Sequence, residues 1–391
     1  VLRASQRPSS CRLLCLQSST PPAERFISFA DPRSFEHAMP LAIKLPVLLL
    51  VAVTGGVLAL TTHEAGHLIT GSLARLRVFL FCAGPIRIAR RPDGRLHIGW
   101  ARSFGEVCGM AGMALDGSRD EQGIRRAIIW FALGGPIASL VCGAAALAAF
   151  LALGLSEMTW ERDGMMKAVA GGVLMYALAS LGMAFVTALP NRFAGLASDG
   201  ERVRLMLRGG PLAGRNGALF AIVGWSAMGR PPRDWDPAIV AAAMAAGDDD
   251  TFDAGLARYY AFVHALDCRD TAGASNHARA MATANAPPAM RSLMRAEAAY
   301  FAAAYEGDVA TARARLAEAG EQAPLDPQTR RRVEAAILLA GEDAAAGAAA
   351  LCALIAEVEA NPESGDLRDE LRRLAERRGV AVVPPICGSA R

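Results

Sequence analysis

The chain has 391 residues and a formal net charge of +3, with 53% hydrophobic and 20% charged residues. That length holds two or three domains, and the hydrophobic share exceeds that of ordinary soluble chains and points to membrane segments. A charge this close to neutrality gives no reason to expect nucleic acid as a partner.

Residues 1–38 are polar, rich in Pro, Ser and Arg, and without apolar periodicity, which reads as a disordered tail. Met39 follows, so this stretch also reads as an over-extended start, and it holds no apolar core of a signal peptide. The eight cysteines (Cys11, Cys15, Cys82, Cys108, Cys142, Cys268, Cys352, Cys387) include no C-x-x-C pair. Neither a disulfide framework nor a thiolate zinc site is indicated. The Ala- and Arg-rich composition fits a GC-rich bacterial genome.

Leu41 to Leu60 is uncharged except for Lys44 near its outer end. As a helix it is about 30 Å long and spans a bilayer. Gly55 and Gly56 permit close helix contact. The helix must continue into Thr61-Thr62-His63-Glu64-Ala65-Gly66-His67. Histidines four apart on a helix differ by about 40° in azimuth, so both imidazoles reach one ion. Glu64 borders that face and can take a proton from water. This is the His-Glu-x-x-His arrangement of zinc hydrolases. By composition it arises by chance in roughly one chain of this length per hundred. The plainer alternative is a polar cluster where a membrane helix meets water, but ionisable groups at membrane depth are costly and usually functional.

Residues 75–126 form a basic stretch, ten arginines against five acidic residues. Val78–Cys82, Ile86–Ala89 and Leu96–Trp100 read as strands around Gly84-Pro85 and Pro92-Asp93-Gly94. His97, alone on a strand, reads as structural. Ile128 to Leu155 is a second uncharged span containing Gly134-Gly135-Pro136. The proline frees a carbonyl that a neighbour or ligand must satisfy; a small-residue packing face with a kink is the alternative. A short acidic connection, 156–167, leads to a third span, Ala168 to Leu189, then Pro190-Asn191-Arg192 and Asp199-Gly200. Positive charge puts the 75–126 stretch and the arginines after Asn191 on the cytoplasmic side. His63, His67 and Asp199 then share one membrane depth.

Gly217 to Met228 is apolar but short, an interfacial or re-entrant helix, or a fourth crossing if it starts at Pro211. Arg230-Pro231-Pro232-Arg233 marks a boundary. Beyond it the chain reads as Ala-rich helices near 236–246, 252–267, 271–284, 288–305, 308–319, 327–340, 343–359 and 366–378. Gly307-Asp308 and Gly341-Glu342 stand 34 apart, which suggests tetratricopeptide-like hairpins. His264 and His277 read as structural.

Three features in order resemble the site-2 protease family of intramembrane zinc metalloproteases: His63-Glu64-Ala65-Gly66-His67, Gly134-Gly135-Pro136 and Asp199-Gly200. The resemblance covers about residues 41–210. It implies His63, His67 and Asp199 as zinc ligands and Glu64 as catalytic base. Ser139 stands where the family often has Asn, and Arg192 to Ser198 replaces its proline-rich run. The short 156–167 connection leaves no room for an inserted peptide-binding domain.

The expected fold is an all-α polytopic membrane protein with a small β-like hairpin region after the first span. Its expected parts are a tail (1–38), a membrane metalloprotease domain (39–230) and a soluble, tetratricopeptide-like helical domain (231–391). The expected function is hydrolysis of peptide bonds in or near transmembrane segments of membrane-protein substrates. The strand-like 78–100 region would hold the unwound substrate by β-addition. The expected setting is a bacterial inner membrane in contact with lipid, with the helical domain cytoplasmic and available to a protein partner. A catalytically silent scaffold acting through its helical domain, and a metal transporter, are the rival expectations.

Overall fold

The computed structural model describes residues 41–90, 94–101, 109–115, 120–159, 164–193, 196–247, 250–341, 343–360 and 365–381. The expected tail (1–38), Met39, Pro92-Asp93, Glu342, the charged part of the 156–167 connection (Glu161, Arg162, Asp163) and Cys11, Cys15, Cys108 and Cys387 lie outside the described residues.

Three long helices form the first half: α1 (Leu41–Leu73), α2 (Glu121–Ala152) and α3 (Met165–Ala188). They pack mutually, and all three are long and apolar enough to cross a membrane. Their outward surfaces carry exposed leucine, isoleucine, valine and phenylalanine side chains, including Leu45, Leu49 and Leu50 on α1 and Phe185 on α3. Exposed apolar area on this scale marks contact with lipid or protein. Gly55 of α1 faces the Tyr176 backbone of α3, whereas nothing lies against Gly56. Thr62 and Tyr176 join the same two helices through their hydroxyls, 3.0 Å apart.

Between α1 and α2 lies an antiparallel sheet of β1 (Leu76–Ala83), β2 (Ile86–Arg90), β3 (Leu96–Trp100) and β4 (Met110–Leu115), in the order β3-β2-β1-β4. The register pairs Ile88 with Ile98 and Phe81 with both Ile88 and Ala111, with an irregularity in β1 between Val78 and Leu80. Leu96, Ile98 and Trp100 alternate along β3 and are exposed together. The sequence signals located β1 to β3 but not β4. Met-Ala-Gly-Met-Ala-Leu has no β-branched residue, and its pairing with β1 makes it a strand.

After α3 come a two-residue hairpin, β5 (Arg192–Phe193) with β6 (Leu196–Ala197), then α4 (Asp199–Arg208) and α5 (Pro211–Ala227). Helix α5 begins at Pro211, yet at 17 residues it is not among the helices long enough to cross. It is packed between β4 and α2 on one side and the following helices on the other. A fully buried arginine fits that place: Arg215 donates to the carbonyls of Ala243, at 3.2 Å, and Gly247.

Among the described residues the rest is mainly helical: α6 (Pro237–Met244), α7 (Phe252–Asp267), α8 (Thr271–Thr283), α9 (Pro288–Phe301, continued by a π-turn to Glu306), α10 (Val309–Gln322), α11 (Pro327–Ala340), α12 (Ala344–Ala360) and α13 (Gly365–Arg378). Asp236, Thr251, Asp270, Asp308 and Asp326 cap helix N-termini through their side chains, which is why the sequence divides there. Alanines let successive helices approach closely around Tyr300, Val333, Leu351, Ile355 and Leu371. Gly307 ends its helix in the left-handed region at φ 72°, whereas Gly341 is extended at φ −96°. The two glycines 34 apart therefore play different local roles. Arg373 of α13 pairs with Asp267 of α7, tying the last helix back to an early one. Apolar cluster residues Ala218, Leu219 and Ile222 of α5 join Trp235, Val240, Ala257 and Ala261, so a single core spans the Arg230–Arg233 segment.

Candidate metal centre

His63 and His67 sit one turn apart on α1, both buried, with imidazoles meeting edge to face at a centroid distance of 4.9 Å. Their Nε2 atoms are 3.3 Å apart. Asp199 Oδ2 lies 3.3 Å from His63 Nε2 and 3.6 Å from His67 Nε2. Tetrahedral coordination at about 2.05 Å separates neighbouring donor atoms by about 3.3 Å. The three donors therefore form a triangle of the size that a zinc-like ion spans. Among the described residues, no second group of three His, Cys, Asp or Glu side chains meets this way.

Each imidazole is held from behind. His67 Nδ1 donates to the Phe131 carbonyl at 2.7 Å, and His63 Nδ1 is 3.0 Å from the hydroxyl of Ser139, which is fully buried. A hydrogen on Nδ1 leaves the lone pair on Nε2, the tautomer that a metal requires. Pro136 lacks the N–H that would reach the Ala132 carbonyl; the carbonyl that accepts from His67 is that of its neighbour Phe131.

The glycines beside Pro136 have two separate tasks. A Cβ on Gly66 or on Gly134 would overlap the other residue's carbonyl, so α1 and α2 touch through bare backbone here. A Cβ on Gly135 would lie 2.7 Å from His63 Nε2 and would also overlap His67 Nε2. Gly135 thus keeps open the space in front of both nitrogens. The packing face and the metal site are the same feature.

Asp199 opens α4. Ser198 caps that helix, accepting from the Glu201 N–H at 3.1 Å, and its hydroxyl donates to the Leu189 carbonyl at 2.7 Å. Asn191 Nδ2 donates to the Val186 and Leu189 carbonyls at the end of α3. Gly200 lies against the Ala188 carbonyl with no room for a Cβ. At the other end of α4, Arg125 of α2 donates to the Met206 carbonyl at 2.9 Å through Nε. The carboxylate is therefore fixed from both ends of its helix. Burial pushes the Asp199 carboxyl up, but its interactions with His63 and His67 outweigh it and hold it well below the usual carboxylate range. Glu201 nearby is bound by Arg204 through two 2.6 Å contacts, which holds its carboxyl below the ordinary value and reserves it for structure.

Glu64 is buried next to the donor triangle in sequence, and its carboxylate faces Gly109. The strand beside it is β4, one edge of the sheet among the described strands; β3, within the 78–100 region, is the other edge. His97 pairs with Ala89 in the sheet, and His264 donates to the Pro232 carbonyl at 2.7 Å while stacking on Trp235; neither enters the centre. Sequence reasoning missed the roles of Ser139, Gly135, Ser198 and Arg125. One signal was there: Ser198-Asp199-Gly200-Glu201 is the Ser-x-x-Glu pattern of a helix start. No family model, curated protein or solved structure matches the chain.

Proposed function

We propose that this protein is an intramembrane zinc metalloprotease, similar in mechanism to the site-2 protease family. The observation that supports the reading most is the donor triangle of His63, His67 and Asp199 beside a buried glutamate at the end of a helix long enough to cross a membrane. Two imidazoles and one carboxylate are the donor set of catalytic zinc sites that keep a fourth position open. A zinc ion held there supplies a Lewis acid and makes water a stronger acid.

The chain's own residues do the rest. Glu64 accepts a proton from the attacking water and returns it to the leaving amide nitrogen. Its carboxylate lies beside Gly109, at the start of β4. A helical substrate hides its carbonyls in its own hydrogen bonds, so it must unwind before attack. Among the described strands β4 lies at an edge of the sheet, where the unwound segment would add as a further strand next to the base. Gly135 keeps the approach to both nitrogens clear.

The proposed setting is a bacterial inner membrane crossed three times. The arginine-rich sheet region, α4 and the C-terminal helices then lie in the cytoplasm, following the positive-inside bias. The short α5 supports this side, because at 17 residues it is not among the helices long enough to cross. The C-terminal helices offer a surface for a protein partner.

The test is Glu64→Gln. An amide cannot accept the proton, and losses of a general base are typically 10²–10⁴-fold. The variant should keep its metal, lose cleavage of membrane-protein substrates and retain them uncut in a pull-down. Cleavage at the wild-type rate would refute the protease mechanism. Absence of cleavage in the wild type, with bound partners unchanged in both, would favour a scaffold.

A further inference from the structure

The C-terminal helices and the metal centre share one helix, α5. One face of α5 carries Ala218, Leu219 and Ile222 into a core with Trp235, Val240, Ala257 and Ala261. The same helix is pinned to the end of α6 by Arg215, through the Ala243 and Gly247 carbonyls. Its opposite side meets β4 and α2, where Ala221 and Phe220 join Met113, Leu115 and Phe131. The Phe220 ring meets the Phe131 ring edge-on at 5.7 Å between centroids. The Phe131 ring also lies against the His67 imidazole at 5.0 Å, tilted by 34°. Phe131 also supplies the carbonyl that accepts from His67 Nδ1.

We propose that Phe220 is a positioning residue for the metal centre, and that α5 transmits the packing of the C-terminal helices to His67 through Phe131. The inference rests on the metal-site reading above. Phe131 touches His67 twice, by ring and by carbonyl, so a shift of α2 at this residue moves the imidazole plane and its Nδ1 bond together. Phe220 is the ring that backs Phe131 from α5. Edge-to-face aromatic pairs contribute beyond simple burial and fix mutual angle as well as distance. Metal sites respond to such support because small ring rotations misalign the donor lone pair. A partner that docks on the C-terminal helices and shifts α6 or α7 would, by this route, alter the centre without touching it.

The test uses the full chain in detergent, loaded with Co²⁺ as a visible-spectrum probe and titrated against a chelator for Zn²⁺. Phe220→Ala should weaken Zn²⁺ retention about tenfold, the low end of losses from supporting residues, and should alter the Co²⁺ absorption bands. Phe220→Tyr, which keeps the aromatic edge, should restore both. Arg215→Ala, which removes the polar tie between α5 and the end of α6, should shift the Co²⁺ bands in the same sense. If Phe220→Ala fails to fold, Phe220→Leu keeps the bulk, loses the ring and decides the matter alone. Wild-type affinity and bands in a folded Ala or Leu variant would overturn the coupling. A wild-type protein that binds neither ion would instead overturn the metal-site reading beneath it.

Discussion

Replacing Gly135 by alanine should abolish metal binding while adding only one methyl group. The new carbon would stand 2.7 Å from His63 Nε2 and would overlap His67 Nε2 outright. A relaxed contact needs about 3.5 Å, so the rings or the helix must give by about 1 Å. Metal–ligand distances tolerate about 0.2 Å. The rings cannot swing without losing the Nδ1 bonds to Phe131 and Ser139. Helix α2 cannot withdraw without opening its backbone contact with Gly66. Zinc affinity should therefore fall by at least about 100-fold, the upper end of losses from supporting residues. Helix propensity favours alanine by about 1 kcal/mol, so the substitution does not weaken α2 itself. The assay is zinc retained per chain after gel filtration against a chelator, with circular dichroism as the folding control. A folded Gly135→Ala protein with wild-type zinc would show that the ion does not sit in front of these nitrogens.

Other outcomes follow from the same geometry. Ser139→Ala strips the buried partner from His63 Nδ1 and should weaken zinc about 10- to 100-fold, measured by chelator competition, whereas Ser139→Thr or →Asn should retain more. A fragment 211–391 should be more soluble and melt higher than 233–391, because the shorter piece uncovers the apolar residues that Leu219 and Ile222 cover; equal behaviour would show that α5 adds nothing to that core. Asp267 gives a pH signature. Burial pushes its carboxyl up, but Arg373 and the Arg233 backbone N–H hold it below its ordinary value. Its contribution is thus complete above the unfolded value of about 3.9 and is lost as pH falls through the lower folded value. Asp267→Asn should destabilise the helical domain by about 3 kcal/mol at neutral pH and flatten this acid limb in thermal melts.

Much of this was legible in the chain. Helices with a capping threonine or aspartate, such as Phe252–Asp267 and Pro327–Ala340, are where the pattern puts them. The His63–His67 pair follows from helical period alone, and Asp199 joins it as the resemblance implies. What stayed hidden depends on contacts distant in sequence. β4 has no strand-like composition and exists through its pairing with β1. Ser139 matters because it faces His63 from another helix, and Gly135 because two imidazoles need the room. The apolar run at Gly217–Met228 looked interfacial by length; its burial between β4 and α6 could not be read from its own residues.

X-ray absorption at the zinc edge, on full-length wild type and Asp199→Ala, tests the metal centre most directly. A site built from His63, His67 and Asp199 should give one zinc per chain with two imidazole shells at about 2.0 Å and light-atom oxygen completing the sphere. Asp199→Ala should lose most of its zinc or change that shell. A wild type without stoichiometric zinc, or an Asp199→Ala protein with the same zinc content and spectrum, would contradict the assignment.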